Sequence, residues 1–336
     1  MLLPSSTPSL PNKMAELNSG SPVLSIVIPS HRRVDLLQTC LMSVTRFAPA
    51  GTQIVVVDDG SPGATVALTA ARFAKVTVVR LARPGGFCAA ANAGVALAKA
   101  PIVELLNDDT EVTAGWADAA LRWFSDPSIA AVAPLVLQRD PDRLARGLPP
   151  RIDTAGDEYD FGGFARKRGH GLLWINSETP TAYNATENRT VPCQPGRVMA
   201  ASACAAFYRR EALLQAGGFP VHFQAYFEDV DLSLRLRRQG FEIVFDPASV
   251  VWHRVSSSYS QRPRRRLLEQ QSCNEERLFW RNSHGQDRLR WLPRHAAVLA
   301  AKAVRRFQEG SFLPWFLGRI RAAVTQLRHD FGIADH

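Results

Sequence analysis

Nowhere in the 336 residues does the chain carry 18 consecutive apolar residues, so no segment reads as a membrane-spanning helix. Cysteine is sparse. Cys40, Cys88, Cys193, Cys204 and Cys273 are odd in number, scattered and without C-x-x-C spacing. That pattern points to reduced, structural thiols, with neither a disulfide framework nor a zinc knuckle. Internal repeats and low-complexity tracts are lacking too. The opening "MLLPSSTPSLPNKMAELNSGS" lacks the charged-then-apolar order of a signal peptide, so residues 1–21 are expected to be a flexible tail on a cytoplasmic protein. Acidic residues are the minority, 31 against 40 Lys and Arg, for a formal net charge of +9.

What remains is an ordinary globular composition, 46% hydrophobic and 21% charged, long enough for one large domain with appendages. The positive charge is uneven. It gathers in "QRPRRR" and in residues 284–336, where Arg and Lys alternate with Trp, Phe and Leu. This extension reads as basic and amphipathic. Pro314 should divide its last part into two short helices, with Arg305, Arg306, Arg319, Arg321 and Arg328 beside Phe307, Trp315, Phe316, Ile320 and Leu327. Such a surface suits an anionic membrane, and would make the protein peripheral on the inner face of the cytoplasmic membrane. Nucleic acid is the competing polyanion and the less expected partner. A solvated helical appendage packed on the body is the other reading.

From Val23 the pattern is regular. "VLSIVIP", "QIVVVDDGS", "KVTVVRL" and "PIVELLNDD" read as buried strands, separated by a helix with Leu37, Cys40, Leu41 and Val44 on one face, an alanine-rich helix to Ala74, and "CAAANAGVALAKA". Near-continuous apolar strands alternating with helices predict an α/β fold, a parallel sheet covered on both faces. Functional groups then belong beyond the strands' carboxyl ends. Pro29, Ser30 and His31, Asp58 and Asp59, and Asn107, Asp108 and Asp109 all fall on that rim, although Asp and Asn are also common turn formers.

Residues 138–200 lose periodicity and read as an irregular insert, a possible acceptor-side lid, with a hairpin around "TAGDEYDFGGFARKRGHG". Order returns at "ASACAAFYRREALLQAGGF", a strand and a short helix closed by Gly217 and Gly218. In "AYFEDVDLSLRLRRQGFEIVFDPASVVWH", Glu228, Asp229 and Asp231 open a helix in which Val230 pairs with Leu234 and Leu232 with Leu236. Capping of the helix dipole is one role open to these carboxylates. His253 ends the following strand.

The segments "SIVIPSHRR", "VVVDDGS", "GGFCAAANAG", "LLNDD", "FEDVDLSLRLRRQG" and "VWH", in this order, resemble family 2 glycosyltransferases of the GT-A fold, particularly rhamnosyltransferase-like enzymes of the bacterial cell envelope. The resemblance covers about residues 23–283; residues 22–283 form the expected catalytic domain. It implies a Rossmann-like, mostly parallel sheet followed by the helical extension. It implies a nucleotide-sugar site built from Pro29, Ser30, Arg32, Asp58, Asp59, Gly86, Asn92, Asn107 and Asp108. Asp109 would be the metal-binding carboxylate of the D-x-D position, holding Mg2+ or Mn2+ with His253. Asn107 departs from the usual Asp there. Asp229, beside Glu228, would be the catalytic base. The residue types suit the chemistry: a cation offsets charge on a departing nucleoside diphosphate, and one carboxylate deprotonates the acceptor hydroxyl. The implied activity is inverting transfer from a nucleotide sugar, such as dTDP-rhamnose or a UDP-sugar, to a glycan or lipid-linked acceptor. A sugar-nucleotide nucleotidyltransferase and a non-catalytic, membrane-recruited sugar-nucleotide-binding scaffold are the alternatives.

Overall fold

The computed structural model describes residues 22–174, 183–184, 189–190, 194–255, 264–283 and 285–330. The leader, Cys193 and most of the polar loop "NSETPTAYNATENRTVPCQPG" lie outside the described residues. Within them β1 (Leu24–Ser30), α1 (Val34–Phe47), β2 (Gln53–Asp58), α2 (Thr65–Ala70), β3 (Val76–Arg80), α3 (Phe87–Leu97) and β4 (Ile102–Leu105) alternate as the hydrophobic pattern requires. The second helix ends at Ala70, short of the expected Ala74. β5 (Thr110–Val112), α4 (Trp116–Leu121), β6 (Ile129–Gln138) and α5 (Pro141–Ala145) follow.

Within the expected insert, β7 (Ile152–Thr154) joins the main sheet, and β8 (Asp157–Asp160) and β9 (Phe164–Lys167) make the predicted hairpin. Two short strands, β10 (Tyr183–Asn184) and β11 (Arg189–Thr190), pair with each other. The chain continues through β12 (Gly196–Arg197), β13 (Phe207–Arg209), α6 (Arg210–Gln215), α7 (Glu228–Arg238) and β14 (Glu242–His253). It finishes in α8 (Arg264–Asn282), α9 (Gly285–Gln308) and α10 (Phe312–Asp330).

The main sheet runs β12-β14-β6-β13-β4-β1-β2-β3, with β5 pairing to β14. It is mixed but mostly parallel: β13 enters antiparallel between β4 and β6, and β12 is antiparallel to β14. Alternate side chains of β1 enter opposite layers, Val27 against α3 and Ile26 and Ile28 against α1. Leu37, Cys40, Leu41 and Val44 are the buried face of α1, as their spacing predicts. Gly94 permits the close seating of α3, since a Cβ there would lie 2.2 Å from Val27 Cγ1. "FEIVFD" and "SVVWH" merge into one strand, β14, with a register shift between Asp246 and Val250.

The C-terminal extension departs from expectation. Its break falls at Gly310, whose φ is 64°, while Pro314 sits in the first turn of α10, where a missing N–H costs least. Both helices are long, and α10 packs on α8: Trp315 and Ala322 are buried, and Arg319 is buried between Glu275 and Glu276. Arg319 and Trp315 therefore do not face outward as the sequence reading had them. Arg328 and Leu327 lie outside the residues whose side chains are described.

Candidate active site

The carboxyl ends of β1 and β2 open onto a cleft of about 790 Å³. Pro29, Ser30 and Arg32 line it, as does Asp59, which accepts hydrogen bonds from Gly85 N (2.6 Å) and Gly86 N (3.0 Å) and so shapes the loop before α3. Gly86 has φ 83°, and a Cβ there would press on the Gln224 backbone. Two residues expected in this wall are turned to other work. Asp58 is fully buried and its oxygens accept from Ser61 N and Ala67 N, so it builds the turn after β2 and does not line the cleft. Asn92 likewise stays off the cleft; its amide bridges Phe219 N and O and ties α3 to the loop after α6.

Deeper in, Asn107 lines the cleft while Asp108 and Asp109 are buried beneath it. Antiparallel pairing of β5 with β14 sets Thr110 opposite His253, bringing His253 Nε2 to 3.2 Å from Asp109 Oδ1. Behind the ring, Nδ1 donates to Asp153 Oδ2 at 2.9 Å. Burial opposes the imidazolium, but Cys204, Asp109 and Asp153 together push the pKa of His253 well above its usual value. Arg33 spans the two acids, pairing with Asp108 and with Asp109 Oδ2 at 2.8 Å, and Ser30 Oγ donates to Asp108 at 2.6 Å. Burial raises the Asp108 carboxyl to about 7, with Arg33 opposing the rise.

Among the described residues no three His, Cys, Asp or Glu side chains stand grouped for a metal. The smaller set of Asp109 and His253 is the one expected to hold a divalent cation. It offers one carboxylate and one imidazole, and Asp153 backs the histidine in the manner of a metal-ligating His. Two protein ligands would leave positions for phosphate oxygens.

The same cleft carries the expected base. Asp229, half-buried at the start of α7, accepts from Ala203 N (3.1 Å) and from Val230 N (2.9 Å); burial raises its pKa. Glu228 is more deeply buried, and burial together with Asp229 raises its carboxyl well above the usual range. The N-cap position of α7 is Phe227, and Asp229 meets the first-turn Val230 N–H. The preceding turn is strained: Gln224, Tyr226 and Phe227 all have positive φ. From α8, Asn274 Nδ2 clamps it by donating to the carbonyls of Phe223, Ala225 and Tyr226.

The sequence reading missed several of these residues. Asn274 and Arg33 gave no local signal beyond residue type. Asp157 and Lys167, on the hairpin, also line the cleft. Asp157 accepts from Thr154 Oγ1 at 2.7 Å, and burial, reinforced by Asp229, raises it to about 7. Lys167 Nζ reaches both oxygens of Asp153, at 3.0 and 2.9 Å.

A curled α/β sheet with its cleft beyond the parallel strand ends is the GT-A architecture. The mannosyltransferase PcManGT from Pyrobaculum calidifontis, solved with GDP-Man and Mn2+, shares the fold at TM-score 0.53 and 17% identity, covering 92% of this chain and 88% of that one. The family "Glycosyl transferase family 2" matches residues 25–215, and "Glycosyl transferase family group 2" matches 166–320. The chain belongs to glycosyltransferase family 2. It is 27% identical to the N-acetylglucosaminyl-diphospho-decaprenol L-rhamnosyltransferase of Mycobacterium tuberculosis, over 72% of this chain and 79% of that protein. It is 29% identical to the O-antigen biosynthesis protein RfbC of Myxococcus xanthus, over 71% of this chain and 18% of that protein. It spans only part of several curated relatives, 28% of one and 42% of another.

Proposed function

We propose that the chain catalyses inverting, divalent-cation-dependent transfer of a sugar from a nucleoside-diphosphate sugar to a hydroxyl of a cell-envelope glycan or lipid-linked acceptor, at the inner face of the cytoplasmic membrane. The observation that carries this reading is that Asp229 lines the same cleft as Asp59, Gly86 and His253, with Asp109 at 3.2 Å from that histidine. In the reaction the acceptor oxygen bonds to the anomeric carbon and the bond from that carbon to the diphosphate oxygen breaks. Its electron pair leaves on the nucleoside diphosphate, and the hydroxyl proton passes to Asp229. A bound cation supplies electrostatic stabilisation of the departing diphosphate.

The residues divide the work. Asp109 and His253 would hold Mg2+ or Mn2+, and Asp59 holds the Gly85–Gly86 backbone in place for the donor. Burial raises the carboxyl pKa of both Glu228 and Asp229, and Asp229, the more exposed of the two, is the base in this reading. Relatives named for rhamnosyl transfer and O-antigen biosynthesis support dTDP-rhamnose as the first donor to try, with UDP-sugars next. Family membership counts against the nucleotidyltransferase reading, and donor turnover would dispose of the scaffold reading. The test is Asp229→Asn: donor binding should persist while turnover falls about 10²-fold or more. Turnover at the parent rate would refute the assignment.

A further inference from the structure

The described residues contain no helix long and apolar enough to cross a membrane. They do contain two unpartnered apolar stripes. On α9, Leu289, Leu292, Val304 and Phe307 are exposed, and the positions that connect them at helical spacing are Ala296, Ala297, Ala300 and Ala301, also exposed. On α10, Leu313, Phe316, Leu317, Ile320 and Val324 are exposed in the same periodic way. The stripes meet at the corner between the helices: Phe307 lies edge-on to Phe312, with ring centroids 6.4 Å apart, and Phe312 stacks on Phe316 at 5.5 Å.

The charge around this surface is predominantly positive. Between residues 288 and 329 the sequence has a single acidic residue, Glu309, and it is already ion-paired with Arg305 and Arg306. Arg290 and Arg321 flank the stripes and are exposed. A second copy of the chain docking here across a two-fold axis would set arginines against arginines. An anionic bilayer matches both the apolar stripe and the basic margin.

The inner side of α9 is fastened to the cleft. Trp291 stacks on Phe161 at 5.3 Å, and His295 hydrogen-bonds Gly162 O at 2.8 Å and stacks on Phe279. Arg294 pairs with Asp160, and Lys302 lies over the Phe164 ring. All of these except Phe279 belong to the β8–β9 hairpin or pack on it, and that hairpin carries Asp157 and Lys167 in the cleft wall.

We propose that the outward faces of α9 and α10 are a docking surface for an anionic membrane, rigidly joined to the cleft through the β8–β9 hairpin. Its use in presenting the cleft to an acceptor carried on a lipid rests on the function proposed above; the docking itself does not. The lipid-facing set differs from the one expected from sequence: it gains the α9 stripe and loses Arg319 and Trp315.

The test is co-sedimentation of the full chain with phosphatidylcholine vesicles, with and without phosphatidylglycerol. The parent should bind the anionic vesicles, should bind pure phosphatidylcholine much less, and should be released by salt. The double variant Val304→Glu and Phe307→Glu, both at exposed positions, should partition at least about 10-fold less while keeping its melting temperature and its nucleoside diphosphate binding. Equal partition of parent and variant, no binding by the parent, or equal binding to neutral vesicles would overturn the proposal. So would a parent dimer that the same substitutions dissociate, which would assign the face to a second copy. Vesicle binding by a chain that turns over no nucleotide sugar would sink the proposed function and leave the docking surface standing.

Discussion

Arg33→Met removes a guanidinium that spans Asp108 and Asp109, two carboxylates buried beneath the cleft. Breaking a buried ion pair from one side costs about 3–5 kcal/mol. The Arg33 side chain retains 18% exposure, which argues for the lower end of that range. At about 2–4 °C per kcal/mol, a loss of about 3 kcal/mol lowers the melting temperature by about 6–12 °C. A divalent cation can take over the missing positive charge. At 100 times its dissociation constant it returns about 2.7 kcal/mol, nearly the whole deficit. Thermal melts of parent and variant across a manganese titration, with bound Mn2+ followed by electron paramagnetic resonance, read this directly. The variant should be the less stable protein without metal, the more strongly stabilised by it, and the tighter Mn2+ binder in the absence of nucleotide. A variant as stable as the parent, or one that gains no more from Mn2+, would refute the idea that guanidinium and cation serve the same carboxylates.

Asp157→Asn removes a carboxyl that burial and the nearby Asp229 push up to about 7. A like charge raises the pKa of its neighbour, so the rising limb of the kcat/KM profile should move to lower pH; a limb that stays in place would place Asp157 outside the base's electrostatic reach. Asn274→Ala removes the donor shared by three carbonyls of the turn before α7, leaving Phe223 and Ala225 only the longer bonds from Gln270 Nε2. The Glu228–Asp229 start of the helix should shift, lowering kcat by about 10-fold with a smaller change in donor KM, as misplacement by less than about 1 Å does; parallel changes in both constants would indicate general loosening.

The parts of this molecule that were legible in sequence are those whose signal is local. Buried β-branched runs, the Leu37–Val44 helical face and the paired glycines after α6 each carry their periodicity or turn chemistry within a dozen residues. The motif order was legible for the same reason, so Asp229 and His253 fall in the cleft and Asp109 directly beneath it. What could not be read was contact across long separations. Asp58 and Asn92 stand at the expected places in their motifs, but their side chains turn to Ala67 and Phe219, and nothing within either motif distinguishes a polar side chain facing a cleft from one fastening a loop. The antiparallel entry of β13 between β4 and β6 is likewise a fact of sheet order, invisible to the three-residue strand itself. The C-terminal extension shows the cost of judging charge by type: Arg319 and Arg321 are two residues apart and equally basic, yet on a helix they point in different directions. One is enclosed by Glu275 and Glu276 and the other faces solvent. Five arginines therefore counted alike in sequence, while the fold spends Arg319 on its own interior. Charge on an amphipathic helix becomes evidence for a membrane only after the packing of its other face is known.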